Sequence, residues 1–210
     1  LVELGSFNVL QLVQTNLLIH ENNSIRNING FNSLSNGLDG IISIYLNDLL
    51  QEISGFNGDL SPATKLNVDY NYHLLTISGF NNVTHFESIH LEGNPHFAEI
   101  SGFSFLQSIR DLVFYDNPSL SYLTGLSNLS SINGTFNVRA SGLKNFNYLN
   151  SISTINNLQV NYCDSLIDLN GLQQLSQIYG DLNISSNPNL LNLTGLNNIN
   201  SIAGNCSIAY

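Results

Sequence analysis

The tetrad Ile-x-Gly-Phe or Leu-x-Gly-Leu returns along almost the whole chain, beginning at Ile28, Ile53, Ile77, Ile100, Leu123, Leu169 and Leu193. Successive copies lie about 23–25 residues apart, with Phe146-Asn147-Tyr148-Leu149 filling the one long interval and Leu4-Gly5-Ser6-Phe7 as a degenerate copy at the front. A fixed period of this length means one supersecondary unit stacked on itself. It excludes a globule built around one central core. Residues 1–210 are therefore expected to form a single elongated repeat solenoid of about nine coils.

One coil can be read residue by residue in 182–196, LNISSNPNLLNLTGL. Leu182 and Ile184 alternate with Asn183 and Ser185, the period-two pattern of a short strand with one buried face. Asn187-Pro188 breaks the strand and turns the chain. Leu190 and Leu193 then point inward, and Gly195 marks a corner where a side chain would crowd or φ is positive. Ile199 and Ile202 line the return path. Equivalent strand pairs occur at Leu66/Val68, Ile89/Leu91, Leu112/Phe114 and Leu158/Val160. Strands that all run the same way with long crossovers form a parallel sheet, and such crossovers are right-handed. About five large apolar side chains are expected to be buried per coil, each worth roughly 1.5–3 kcal/mol once both neighbours cover it.

An asparagine recurs before the turn at Asn22, Asn47, Asn71, Asn94, Asn117 and Asn187. One amide per coil has the spacing needed to satisfy turn backbone groups of the next coil, so these residues are read as a buried structural ladder. The sixth coil loses this asparagine, and Cys163 takes its place in the seventh. Cys163 and Cys206 lie two coil steps apart, beyond disulfide reach, and both are expected to act as small buried apolar residues.

The combination of Leu-x-Gly-Leu, a spaced Ile, a Leu-x-Ile strand and Asn-Pro-x-Leu resembles the receptor L domain of the leucine-rich-repeat superfamily. The resemblance covers nearly the whole chain. It implies a right-handed parallel β-helix-like leucine-rich-repeat fold. It also implies an extracellular or cell-surface role in ligand binding, adhesion or wall structure, without catalysis. The flanking cysteine-rich modules and disulfide-bonded end caps of the receptors have no counterpart in the two cysteines here.

Composition narrows the function further. Only 20 residues are charged, whereas 34 are Asn and 26 are Ser, so amides and hydroxyls make the polar surface. A net charge of −10 with five scattered basic residues cannot neutralise a row of phosphates, which argues against nucleic acid and anionic membrane surfaces. No apolar run approaches the length of a bilayer span. Methionine is absent even at position 1, as expected of a processed or excerpted chain, and with low lysine and abundant Asn this suggests export. Seven sequons occur, at Asn22, Asn82, Asn128, Asn133, Asn183, Asn192 and Asn205. Asn22 belongs to the ladder; the other six are candidates for N-linked glycan.

No nucleophile elbow, zinc-protease helix, phosphate loop or Cys-x-x-Cys pair is present, and His20, His73, His85, His90 and His96 form no recognisable triad. No cofactor is expected. The most suggestive cluster is on the outer sheet face, where His20, Tyr45, Asp69, His90, Glu92 and Tyr115 are candidates for contacting a ligand. Asp69 and Glu92 occupy matching positions in consecutive coils, about 4.8 Å apart along the stack. Three readings apply to them: a solvated polar face, a weak Ca²⁺ site short of oxygens, or a glycosidase-type carboxyl pair without a cleft. The solvated face is preferred.

The chain opens and closes in mid-coil, with Leu1 and Leu4 matching Leu190 and Leu193, and with Cys206, Ile208 and Tyr210 at or beside strand positions. Uncapped solenoid ends expose core side chains and strand edges. The first functional expectation is accordingly a structural or adhesive extracellular glycoprotein, its own partner, stacking head to tail into a fibril. The alternative is a receptor-type ectodomain reading an extracellular peptide or glycan with the sheet face.

Overall fold

The computed structural model describes residues 2–35 and 39–209. Nine parallel strands stack in one sheet: Leu17–His20, Ile41–Tyr45, Lys65–Asp69, His85–Glu92, Ser108–Asn117, Ser131–Ser141, Thr154–Asn161, Leu182–Ser185 and Cys206–Ala209. Two short strands, Gln177–Ile178 and Ser201–Ile202, extend the same sheet beside Thr154–Asn161. A second sheet of four two-residue strands, Asn27–Ile28, Glu52–Ile53, Thr76–Ile77 and Glu99–Ile100, lines another wall. The chain is thus a parallel β-solenoid of about eight turns, since nine stacked strands enclose eight steps rather than nine complete coils. Among the described residues the one helical element is a three-residue 3₁₀ turn, Thr124–Leu126.

The period-two reading holds in the strands from Ile41–Tyr45 to Leu182–Ser185, and not in Cys206–Ala209, whose four residues are all exposed. Leu17, Ile42, Leu66, Ile89, Leu112, Phe136, Leu158, Leu182 and Cys206 are in register, and so are Ile19, Ile44, Val68, Leu91, Phe114, Val138, Val160, Ile184 and Ile208. Both columns face the core and are buried from Ile42 through Ile184. The burial per coil is larger than expected. Between Ile89 and Ile109 seven side chains are sealed: Ile89, Leu91, Phe97, Ile100, Phe103, Leu106 and Ile109. Cys206 corrects the expectation of burial: it is exposed, since among the described residues its strand pairs on one side only, and Ile208 beside it is also exposed. Cys163 is buried, and both thiols are free.

The glycine corner resolves into two different devices. In the Ile-x-Gly-Phe coils the left-handed residue is the phenylalanine, with φ of 61–63° at Phe31, Phe56, Phe80 and Phe103. The glycine there is required by approach. A Cβ on Gly55, Gly79 or Gly102 would collide with the carbonyl oxygen of the equivalent glycine one coil earlier, and Gly125, in the first Leu-x-Gly-Leu tetrad, makes the same approach without a positive φ. In the Leu-x-Gly-Leu coils Gly171 and Gly195 themselves carry φ of 109° and 113°. The phenylalanine geometry stacks Phe7, Phe31, Phe56, Phe80 and Phe103 ring on ring, with centroids 4.9–5.2 Å apart and planes within 9°. Offset stacking at the coil spacing adds to the area these rings bury.

The asparagine ladder is built as the spacing demands. Asn47, Asn71, Asn94 and Asn117 are fully buried. Each Nδ2 donates to the last carbonyl of its own strand and to a core-strand carbonyl one coil earlier; for Asn94 these are Glu92 O at 3.0 Å and Val68 O at 2.8 Å. Each Oδ1 accepts from the backbone N–H of the preceding asparagine, as Asn94 does from Asn71 at 2.9 Å. Asn22 departs from the buried reading: it is half-buried, at the start of the ladder, and its Nδ2 donates to His20 O and Asn47 Oδ1. In the sixth coil Ser141 takes the register position of Asn117. In the seventh, Cys163 N–H donates to Asn187 Oδ1 at 2.9 Å while its thiol lies 3.4 Å from Asn161 O. Burial pushes that thiol pKa up, which makes it inert rather than reactive.

Candidate functional site

The residue between each strand and its ladder position adopts a left-handed conformation, with φ of 49–65° at Glu21, Leu46, Tyr70, Gly93, Asp116, Ala140, Tyr162 and Ser186. Only one of these is glycine. A non-glycine residue there costs roughly 1–2 kcal/mol. The cost is offset because its N–H continues the ladder of hydrogen bonds, as Tyr70 N donates to Glu92 O at 2.8 Å and Tyr162 N to Ser185 O at 3.2 Å. This column sets Tyr70 and Tyr162 on the rim of the outer sheet face, where both are exposed.

On that face the register forms one row: His20, Tyr45, Asp69, Glu92, Tyr115, Arg139, Asn161 and Ser185. Five of the six ligand-contact candidates fall in it. The sixth, His90, lies in the adjacent row between Asn67 and Val113. His20 stacks on Tyr45 with centroids 4.8 Å apart and planes at 4°. Glu92 is held from both sides: Tyr70 Oη donates to Oε1 at 2.5 Å, and His90 Nε2 lies 3.1 Å from Oε2. The Glu92 hydrogen bond is the main reason the Tyr70 hydroxyl pKa is raised.

Asp69 is different. Its Oδ1 is out of solvent with no hydrogen-bond partner. Burial first, then the charge of Glu92, push its pKa up to about 6, while the His90 ring and a Glu92 backbone N–H pull the other way. The neighbouring carboxyls are therefore unequal: each Glu92 oxygen has a partner, whereas Asp69 is poorly tolerated in its charged form. With both Glu92 oxygens engaged, few oxygens are left for a hard cation. Among the described residues no group of three or more His, Cys, Asp or Glu is gathered as a metal site.

Three residues of this face carry no sequence motif and were missed: Tyr70, Arg139 and Tyr162. Arg139 lies over the Tyr115 ring at 5.1 Å and the Tyr162 ring at 4.8 Å, so its guanidinium is clamped by two coils. Arginine at the position after Val138 could have been placed in the row by extending the Tyr45–Tyr115 register. Tyr70 and Tyr162 could not, because their left-handed backbone breaks the strand alternation. Beyond Arg139 the face turns to amides, with Asn137, Gln159 and Asn183 in the row that contains His90.

The remaining candidates scatter. Asn82 and Asn128 are exposed on the return path, with Nδ2 donating to Asn57 O at 2.5 Å and Ser104 O at 2.7 Å. Asn133, Asn192 and Asn205 are exposed, and Asn183 is half-buried on the sheet face. Leu1 and Tyr210 lie outside the described residues. Leu4 is half-buried and bonds to the second sheet through Asn27 O. Next to it Phe7, Leu10, Leu17, Ile19 and Ile25 line an open groove of about 560 Å³.

The chain matches no protein-family model, and no similar chain is found among curated proteins or solved structures. The resemblance to the receptor L domain therefore rests on the repeat residues alone.

Proposed function

We propose that this chain is a non-enzymatic recognition module of the receptor L-domain type, right-handed, exported to the cell surface, and binding an extracellular peptide or glycan across its outer sheet face. The carrying observation is the unbroken row His20–Tyr45–Asp69–Glu92–Tyr115–Arg139 over six consecutive strands. Aromatic and charged side chains grouped on a rigid sheet are the composition of a binding surface. The stacked coils fix their spacing before any ligand arrives, which lowers the ordering cost of binding. The experiment is an array of peptides and glycans probed with the chain and with Tyr45→Ala/Glu92→Ala/Tyr115→Ala. A shared pattern of bound ligands in both proteins, or none in either, sinks the reading.

Head-to-tail stacking into a structural or adhesive fibril is the second reading. It is favoured by the apolar side chains open at both ends of the described stack, the groove around Leu4 and Phe7 and the Leu193, Ile202 and Ile208 surface. A further coil of the same polypeptide covers such a surface as well as a second copy does. Negative-stain imaging and sedimentation with Leu4→Asp and Ile208→Asp separate the two. Monomers at high concentration, unaffected by either substitution, eliminate self-assembly.

A further inference from the structure

The clamped arginine has chemistry that the rest of the row lacks. Among the described residues Arg139 forms no ion pair, although Arg110 is paired with Glu87 and Asp111. Glu92, two coils earlier, is occupied by Tyr70 and His90, and Asp116 beside Tyr115 makes no bridge to it. With its carbon 5.1 Å from the Tyr115 ring centre and 4.8 Å from the Tyr162 ring centre, the guanidinium is held in place, and its N–H groups bond to no acceptor among the described residues. That fork matches a carboxylate through two parallel hydrogen bonds, and stacking has already fixed the side chain that must make them.

The surroundings specify what carries the carboxylate. Asn137, Gln159, Asn161 and Asn183 flank Arg139 in the two outer rows. Asn137 and Asn183 each hold an Oδ1 out of solvent without a partner. The Asn161 Oδ1 accepts from Ser185 Oγ at 2.7 Å, and its Nδ2 donates to no acceptor among the described residues. The buried Oδ1 atoms are beyond a ligand's reach, so toward a hydroxyl oxygen these side chains offer their amide N–H donors. A peptide that binds by strand addition would instead seek free backbone groups at a strand edge. Those of the strands around Arg139 are consumed by pairing on both sides.

We propose that Arg139, held between Tyr115 and Tyr162, is the carboxylate receptor for an acidic oligosaccharide lying along the outer face. This rests on the recognition reading above and names its ligand class. The sugar carboxylate takes the guanidinium fork, and ring hydroxyls of neighbouring residues meet the amides at the inter-strand repeat of about 4.8 Å.

The test is calorimetric titration of the intact chain with tetramers of galacturonate, glucuronate and mannuronate, and with their methyl esters, which remove the charge at constant size. Oligoglutamate of equal charge is the peptide comparison. The expected result is that at least one uronate tetramer binds about tenfold or more tighter than its ester and than oligoglutamate. Arg139→Lys then loses about tenfold, because it keeps the charge but not the planar fork, and Tyr162→Leu weakens acid and not ester. Arg139 and Tyr162 are both exposed, so the urea midpoint of both variants stays close to the wild-type value. Equal binding of acid and ester, full affinity in Arg139→Lys, or binding of oligoglutamate alone overturns the proposal. If acid and ester bind equally and Tyr45→Ala abolishes both, the recognition face stands and the carboxylate receptor falls. If no probe binds, the acidic-saccharide proposal falls, and the array decides the broader reading separately.

Discussion

Replacing Asp69 by asparagine is the sharpest probe of the sheet face. The carboxyl titrates at about 6 in the fold against 3.8 in an unfolded chain, mainly because burial disfavours its charge. The native state therefore binds this proton more tightly than the unfolded state. Its stabilising contribution is complete below pH 3.8 and is lost as pH rises through about 6. At pH 7.5 the charged carboxylate costs at most about 3 kcal/mol, and about 1–2 kcal/mol once its partial exposure is allowed for. An amide at the same place removes that cost and also the repulsion from Glu92. The ladder is untouched, since Leu46 N and Asn71 Nδ2 bond to the Asp69 backbone carbonyl and not to its side chain. Urea denaturation of wild type and Asp69→Asn at pH 3.5 and 7.5 isolates the Asp69 carboxyl together with its repulsion from Glu92, because the carboxylates that do not act on Asp69 cancel in the difference. The variant should be more stable by about 1–2 kcal/mol at pH 7.5 and indistinguishable at pH 3.5. A variant less stable at pH 7.5, or a difference that ignores pH, would refute the burial argument. A loss of stability that deepens when Ca²⁺ is added would instead reinstate the cation reading of Asp69 and Glu92.

Asn94→Leu strands the Asn71 N–H and takes a donor from the Val68 and Glu92 carbonyls, the latter keeping its bond from Tyr70 N, so it should cost about 2–4 kcal/mol in urea denaturation despite adding an apolar side chain. Gly102→Ala drives a methyl into the Gly79 carbonyl, which is fixed by its own coil, and should cost about 3 kcal/mol or prevent folding; a midpoint within error of wild type would deny the close approach. Leu112→Asp places an unpaired carboxylate at a fully buried strand position and should split the solenoid, read as loss of protection from hydrogen exchange in the neighbouring strands. In a eukaryotic host at least two of Asn82, Asn128, Asn133, Asn183, Asn192 and Asn205 should carry glycan, checked by mass spectrometry for Asn-to-Asp conversion after glycosidase treatment.

The period of the glycine tetrad, the Leu-x-Ile strand alternation and the recurring asparagine were enough to place the two buried strand columns, the tetrad residues and most of the ladder, though about five buried apolar side chains per coil were expected where the coil from Ile89 seals seven. Each is a local pattern that only one stacking satisfies: apolar alternation sets the buried face, and one amide per coil must meet the turn of the next. Asp69 beside Glu92, with Tyr45 and Tyr115 flanking them, was legible for the same reason, because equal positions in equal coils become neighbours. What lay outside sequence logic depends on backbone that is not repeated as residue identity. The left-handed residue after each strand is Glu, Leu, Tyr, Gly, Asp, Ala, Tyr or Ser, so no residue type announces it. Yet it is this conformation that brings Tyr70 to Glu92 and Tyr162 over Arg139. The split between Phe-borne and Gly-borne positive φ, the exposure of Cys206 and the half-exposure of Asn22 were likewise decided by stacking. A coil's environment is set by the coils on either side, and at Asn22 and Cys206 the described residues supply a coil on one side only.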